Sequence, residues 1–397
     1  MKMIFRARIS VLLALIIVLL SLCACAFTEV SPRTGTQSAP PATETTVPPA
    51  PIVEPPPLSL TFVAVGDNLI HNTVFQAAKV QNGYDFTPMY APVRGLIQSA
   101  DIAFVNQEAP LATDLFAASG YPNFNTPQEA GRDLLKTGFD IINQANNHAM
   151  DRGYKAVLST VAFWKGQDEG VMIGMYENEG DRTAPCIVEK NGIKLGLITY
   201  TYGTNGIPIP GDRPYLVPLI DRERIKADIV AVRDRCDVLI ASMHWGVEYN
   251  LGVTDEQQAL ALFLTEQGVD LIVGHHPHVI EPAQWIQAEN GNNAFCVYSL
   301  GNFISSQQRR ATMLGGMLRV TIEKASDNTI RLIDPGVLPI VTHYEKTGKN
   351  YGIYPLYDYS DELAKKHAVN QYDKSVSMDY LTRTAQEVLG DFAIFDR

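Results

Sequence analysis

Residues 273–283 read VGHHPHVIEPA, which puts His275, His276 and His278 directly after the apolar run DLIV (270–273). Three imidazoles in four positions, with Pro277 fixing the backbone between two of them, concentrate nitrogen donors that suit a divalent metal. Four other apolar runs end in the same kind of residue. LTFVAVGD delivers Asp67, DIAFVNQE delivers Asn106 and Glu108, DIINQANNH delivers Asn147 and His148, and VLIASMHWG delivers His244. The pooled set holds carboxylates, amide oxygens and imidazoles but no cysteine, a donor chemistry that matches one or two ions of manganese, zinc or iron. Taken alone, each has a bland reading: Asp67 as a turn or helix-capping residue, Asn146-Asn147-His148 as a capped loop, His244 as a packed core histidine. Recurrence at five run ends is what favours one shared metal site.

Elements of a particular kind must position these residues. Short apolar runs that break into polar residues read as buried strands, and between them 72–80, 90–99, 128–137, 153–168, 221–233 and 255–267 carry helical spacing. The alternation predicts an α/β domain with a largely parallel inner sheet. Open sheets of that kind gather ligands at the C-terminal ends of their strands, where the polar residues fall. APCIVEKNGIKLGLITYT (184–201) predicts a hairpin turned at Asn191-Gly192. Residues 294–300 and 317–338 predict further strands, and after 343 only 377–389 reads as a helix.

The chain has 397 residues, 46% of them apolar, enough for a substantial core, and a formal charge of −11. That charge argues against nucleic acid or an anionic lipid surface as the main partner, since both reward clustered Lys and Arg. An acidic polymer would be repelled over most of the surface, a repulsion that a metal site reverses locally. Residues 1–26 read as an export signal of lipoprotein type: Lys2, Arg6 and Arg8, the apolar run 9–22, then Leu22-Cys23-Ala24-Cys25. Cys25 is the candidate for lipidation, ahead of Cys23, which follows bulky Leu22; an ordinary cleaved signal or an uncleaved anchor helix is the alternative. Residues 27–57, ending in PPATETTVPPAPIVEPPP, are too poor in apolar surface to fold and read as an extended stalk. The expected organisation is then a domain over 58–345 with a C-terminal extension, 346–397, packed on it. It would be held by lipid on the extracytoplasmic face of a bacterial cell membrane. Cys186, Cys236 and Cys296 fit no zinc knuckle or disulfide framework and read as buried free thiols.

The stretches VGDNLIH (65–71), NQEAP (106–110), ANNHAMDRG (145–153), HWGVEY (244–249), GHHPHVIEP (274–282) and SLGNF (299–303) together resemble the CapA family. These are the poly-γ-glutamate capsule biosynthesis proteins, also called PgsA, which share the αββα fold of calcineurin-like metallophosphoesterases. The resemblance covers about 58–305. It implies Asp67 as the first-strand ligand and Glu108 or Asn106 in place of the usual bridging aspartate. Asn147 would bind a second metal, His148 would stand beside the substrate as general acid, and His244 would be the lone histidine ligand. His276 and His278 match a His-x-His pair, while His275 either replaces His276 or orients the loop. Glu248 and Tyr249 could contact substrate or hold a loop, Asn302 could close the cleft or shape a turn, and Asp151 shapes its loop. His343 lies in no motif and is read as no ligand.

The sequence departs from the family pattern at Leu69, where a histidine two residues after the first aspartate is usual, and in lacking a second aspartate at the bridging position. One ligand fewer implies one firm ion and one weak one. The implied function is metal-dependent hydrolysis of a phosphoester or an amide during synthesis or export of poly-γ-glutamate or a related envelope polymer. Its partners would be membrane polymer-synthase components and its substrate an anionic polymer or phosphoester. Two competing readings are a stand-alone surface metallohydrolase and a metal-stabilised scaffold subunit without catalysis.

Overall fold

A computed structural model describes residues 56–346 and 348–396. The signal-like segment, Cys25 and nearly all of the Pro-rich stretch lie outside the described residues. In chain order the strands are β1 (Leu58–Asn68), β2 (Lys79–Val80), β3 (Gly83–Tyr84), β4 (Ile102–Gln107), β5 (Ile141–Asn143), β6 (Val171–Ile173), β7 (Cys186–Lys190) and β8 (Ile193–Thr201). They continue as β9 (Val238–His244), β10 (Leu271–His275), β11 (Ala283–Gln287), β12 (Asn293–Val297), β13 (Asn302–Ile304), β14 (Leu314–Lys324), β15 (Ile330–Glu345) and β16 (Lys349–Pro355).

Two sheets face each other. The first runs β16-β15-β14-β1-β4-β5-β6, with β13 added beside the end of β1; the second runs β11-β12-β10-β9-β8-β7. In the first, β1, β4, β5 and β6 are parallel and β14 to β16 are antiparallel; in the second, β8, β9, β10 and β12 are parallel between antiparallel β7 and β11. Period-2 alternation divides the buried side chains. Val238, Ile240, Leu271 and Val273 join the core shared with the first sheet, while Leu239, Ala241, Met243 and Ile272 pack under helices Arg222–Arg233 and Asp255–Glu266. Helices on the outside and two sheets within make an αββα sandwich, as the alternation and the resemblance implied.

The β7–β8 hairpin turns at Asn191 and Gly192, both at positive φ (52° and 76°), the backbone that a two-residue turn between twisted strands demands. The stretch 294–300 differs from the sequence reading: its strand stops at Val297, and the chain turns so that Asn302 pairs in parallel with Asp67. Two glycines permit that approach. A Cβ on Gly66 would lie 1.9 Å from the Gly301 carbonyl oxygen, and one on Gly274 would lie 1.8 Å from that of Tyr298. Beyond 345 the chain stays in the same compact unit: β16 pairs with β15 at the sheet edge, and helix Met378–Leu389 follows. No helix among the described residues is long and apolar enough to cross a membrane.

Candidate metal centre and its cleft

The parallel strands of both sheets end on one side, and there β1, β4, β9 and the loop after β10 converge. Two groups of three ligand-type side chains result, Asp67–Glu108–His278 and Glu108–His244–His276, with the candidate ligand atoms in each group within 4.8 Å of one another. Glu108 belongs to both. It is fully buried, its carboxylate lies 3.6 Å from His244 Nε2 and 3.8 Å from His278 Nδ1, and among the described residues neither of its oxygens accepts a hydrogen bond. A buried carboxylate without a donor is costly. Burial, followed by the charges of Asp67, Glu248 and Asp151, pushes the Glu108 carboxyl well above its ordinary range.

The imidazoles are displaced the other way. Burial, then the neighbouring histidines, holds His244 well below its usual range, and burial with His278 takes His276 down to about 3. They are therefore neutral at physiological pH, the form that binds metal. Nδ1 of His244 and Nδ1 of His276 are buried without partners. An unpartnered buried carboxylate with neutral imidazoles around it is the environment that a divalent cation satisfies, so the residues fit one or two ions. The loop is bent to this purpose: His276 and His278 adopt positive φ (101° and 59°), as does Tyr249 (66°), whose N–H donates to the Pro277 carbonyl at 2.8 Å. Non-glycine residues hold such conformations only where their surroundings enforce them.

Asp67 is held by a chain of amides. The Ala145 N–H and the Thr199 hydroxyl both donate to Asn143 Oδ1 (3.1 and 2.6 Å), so the Asn143 amino group must face Asn106 Oδ1, to which it donates at 2.8 Å. Asn106 Nδ2 then donates to Asp67 Oδ1 at 2.8 Å, and Asp67 Oδ2 lies 3.0 Å from His278 Nδ1. Burial alone would raise the Asp67 carboxyl, but His278, His275 and this amide hold it below the ordinary carboxylate range. Asn106 thus turns its oxygen to Asn143 and its amino group to Asp67, which it orients, while Glu108 stands between the two ligand groups.

Asn147 Oδ1 lies 2.9 Å from His244 Nε2, and its amino group donates to Asn205 Oδ1 at 3.1 Å. Its loop is docked by Asn146 Nδ2 on the Gln107 carbonyl at 3.0 Å. Next to it His148 Nδ1 lies 2.8 Å from Asp151 Oδ2, which also accepts the Phe124 N–H at 2.7 Å. The Phe124 ring meets the imidazole edge-on with centroids 4.7 Å apart. Ring orientation is thus fixed from two sides, and Nε2 is the nitrogen left for a substrate.

Above this floor opens a cleft of about 690 Å³, lined among others by His148, Asp151, His278, Glu248, Tyr249 and Arg309. That volume suits a small-molecule group or a short stretch of polymer. Glu248 is exposed at the cleft and Tyr249 is half-buried there.

The remaining candidates fall elsewhere. His275 belongs to neither ligand group: its ring is buried against Phe104 of the opposite sheet, centroids 5.8 Å and 15° apart, with Nδ1 3.8 Å from Asp67 Oδ1. Asn302 spends its amino group on Ser305 Oγ, Gln307 Oε1 and the Thr312 carbonyl, which makes it a clamp on the loop after β13. Leu69 is buried with Ala109 and Phe124, so an apolar side chain fills the place of the missing histidine. Sequence reasoning did not single out Asn143, Asn205 or Arg309. The first stands in DIINQANNH and had a signal, a polar residue inside an apolar run; the other two lie in loops with none.

The model of the family described as bacterial capsule synthesis protein PGA_cap matches residues 61–307. The PGA biosynthesis protein CapA of Bacillus subtilis (strain 168) is 29% identical over 279 residues, covering 67% of this chain and 68% of that protein. The capsule biosynthesis protein CapA of Bacillus anthracis is 25% identical over 289 residues, covering 71% and 67%. A probable polyglutamine synthesis accessory protein of Mycobacterium tuberculosis (strain ATCC 25618 / H37Rv) is 27% identical over 152 residues, covering 35% and 40%. With well over half of its length matched, and the matched part holding every residue of the two ligand groups, the chain belongs to the PGA_cap family of bacterial capsule synthesis proteins.

Proposed function

We propose that this is a lipid-anchored, extracytoplasmic member of the family whose cleft houses a metal-dependent hydrolase of phosphoesterase type. It would act on poly-γ-glutamate or a related envelope polymer during synthesis or export, beside membrane synthase components. The observation that carries the reading is the pair of ligand groups sharing Glu108, with His148 presented next to them at the floor of a cleft. Asp67, Glu108, His244, His276 and His278 would hold the ions, with Asn147 Oδ1 at hand for the second. Divalent ions in such a site polarise a phosphoryl or acyl oxygen and make water a competent nucleophile near neutral pH. His148 would protonate the leaving oxygen or nitrogen from Nε2, its ring held by Asp151 and Phe124. Asp67, oriented by Asn106 and kept anionic chiefly by His278, would hold the ligand groups in register. The name of the Bacillus subtilis relative supports the polymer and that of the Bacillus anthracis relative a capsule, and the basic and apolar pattern of 1–26 with Cys25 supports the anchor.

Metal analysis of purified protein, with turnover of a generic phosphoester and of a glutamyl amide, tests the site. The expected result is bound metal and turnover that Asn147→Ala and His148→Ala each lower steeply. Metal without turnover leaves the scaffold reading, which Leu69 favours; absence of metal sinks the site. Detergent phase partition of the wild type against Cys25→Ala tests the anchor: both partitioning alike into the aqueous phase would refute it.

A further inference from the structure

We propose that Arg309 reads a single negative charge on the substrate beside the metal centre, so that the cleft takes the end or one unit of an anionic chain and not a continuous run of it. Among the described residues lining the cleft Arg309 is the only Lys or Arg, and Asp151 and Glu248 supply acid. A chain with a carboxylate on every unit, laid along this cleft, would put one charge on Arg309 and the rest against acid or neutral side chains. One charge finds a match there; a row of charges does not.

The placement of Arg309 is built. Its guanidinium lies over the Tyr249 ring, 4.1 Å from the centroid, an arrangement that leaves the N–H edge free to grip a planar anion. Among the described residues Arg309 forms no ion pair. The Tyr249 platform is fixed to the metal loop by its N–H bond to the Pro277 carbonyl, and its ring centroid is 6.2 Å from that of His278. The segment around Arg309 is tied at several points: Asn302 Nδ2 to Ser305 Oγ and Gln307 Oε1 (both 2.9 Å), Tyr344 Oη to the Gln307 carbonyl (2.8 Å), and the Arg310 N–H to Asp373 Oδ2 (2.8 Å). The backbone that carries this exposed guanidinium is thus anchored, and the Tyr249 face restricts the side chain before an anion binds. The ligand class is a carboxylate on the unit adjoining the group at the metals. That geometry rests on the hydrolase reading only for what lies at the metal end.

Binding of γ-linked glutamate oligomers of two to five units to the metal-loaded protein, by calorimetry, tests the proposal against matched oligomers whose free carboxylates are converted to amides. The glutamate dimer should bind about tenfold tighter than its amide counterpart, as one charge-assisted pair contributes. Units three to five should add nothing. Arg309→Ala should erase the tenfold preference with metal content and melting temperature unchanged, and Arg309→Lys should keep part of it. Affinity that climbs with every added carboxylate, or a preference that survives in Arg309→Ala, would overturn the inference. Binding needs no turnover, so a wild type that discriminates without hydrolysing sinks the hydrolase reading and leaves the charge reader standing.

Discussion

Two regions of the molecule bury histidines in contact with one another. At the metal centre the rings of His244, His276 and His278 lie around Glu108 and Asp67, with His275 beneath them. On the far end of β15, His343 and His367 pack edge to face with centroids 5.1 Å apart. In the second pair hydrogen bonds explain most of the nitrogens. His343 Nδ1 meets the Tyr359 hydroxyl at 2.7 Å, His367 Nε2 donates to the Thr342 carbonyl at 2.9 Å, and His367 Nδ1 accepts the Val369 N–H at 3.1 Å. The metal centre has the reverse: carboxylates among the rings and polar atoms with no partner. Burial depresses both His343 and His367 to about 4, much as it does His275, so depressed basicity does not distinguish a site from a scaffold. An unpartnered buried carboxylate among the rings does.

The strongest way to break that contrast is Glu108→Gln. Because both ligand groups share Glu108, the variant should lose both ions and all metal-dependent activity, whereas His276→Ala and His278→Ala should each retain one; elemental analysis of metal per chain reads the difference. In metal-free protein the same Glu108→Gln should raise stability by about 1–3 kcal/mol, since it removes a buried carboxyl without donors whose ionisation burial opposes. His148→Ala should come next, with turnover falling about 10²- to 10⁴-fold at unchanged metal content.

Glu281 supplies a titration outside both regions. It is buried, its one partner is the Gln257 amino group at 2.7 Å, and burial raises its carboxyl to about 8 from 4.5. The folded chain then holds a proton that the unfolded chain has released, so stability falls as pH rises from about 4.5 to 8. Glu281→Gln should flatten this slope, worth a few kcal/mol, in denaturant titrations at pH 5 and 8.

The histidine pair gives the smallest effect and the opposite sign. With folded values near 4 against 6.5 unfolded, the stability of each neutral ring is present above 6.5 and lost on acidification toward 4. His343→Phe should therefore lessen the drop between pH 7 and pH 5 by about 2 kcal/mol and leave metal content untouched. If it lowered metal content, the distinction between the two regions would collapse.

Much of the fold was legible because burial writes itself into periodicity. Apolar runs such as 238–241 and 271–273, short and bounded by polar residues or glycine, read as strands covered on both faces, and Asn191-Gly192 reads as a tight turn. Residue types at the run ends carried the donor chemistry of the site. Orientation was not legible. Nothing local says that Asn106 turns its oxygen away from the ligand groups, because that follows from Ala145 and Thr199, the second of them in the other sheet. Asp151 reads as loop chemistry until its pairing with His148 and Phe124 is visible. The loop that presents Arg309 is fixed by Tyr344 and Asp373, far along the chain, and no spacing rule connects them. Distant contacts decide direction, and direction decides role.

The amide row from Asn143 through Asn106 to Asp67 has one further consequence. A row of hydroxyls or waters can reverse all its donors at once and so pass a proton from end to end. Amides cannot, because a fixed oxygen and a fixed amino group give each link a permanent sense. The row therefore transmits alignment but carries no proton: through it Asp67 is coupled mechanically to Thr199 of the opposite sheet, and the titratable group its carboxylate meets directly is His278.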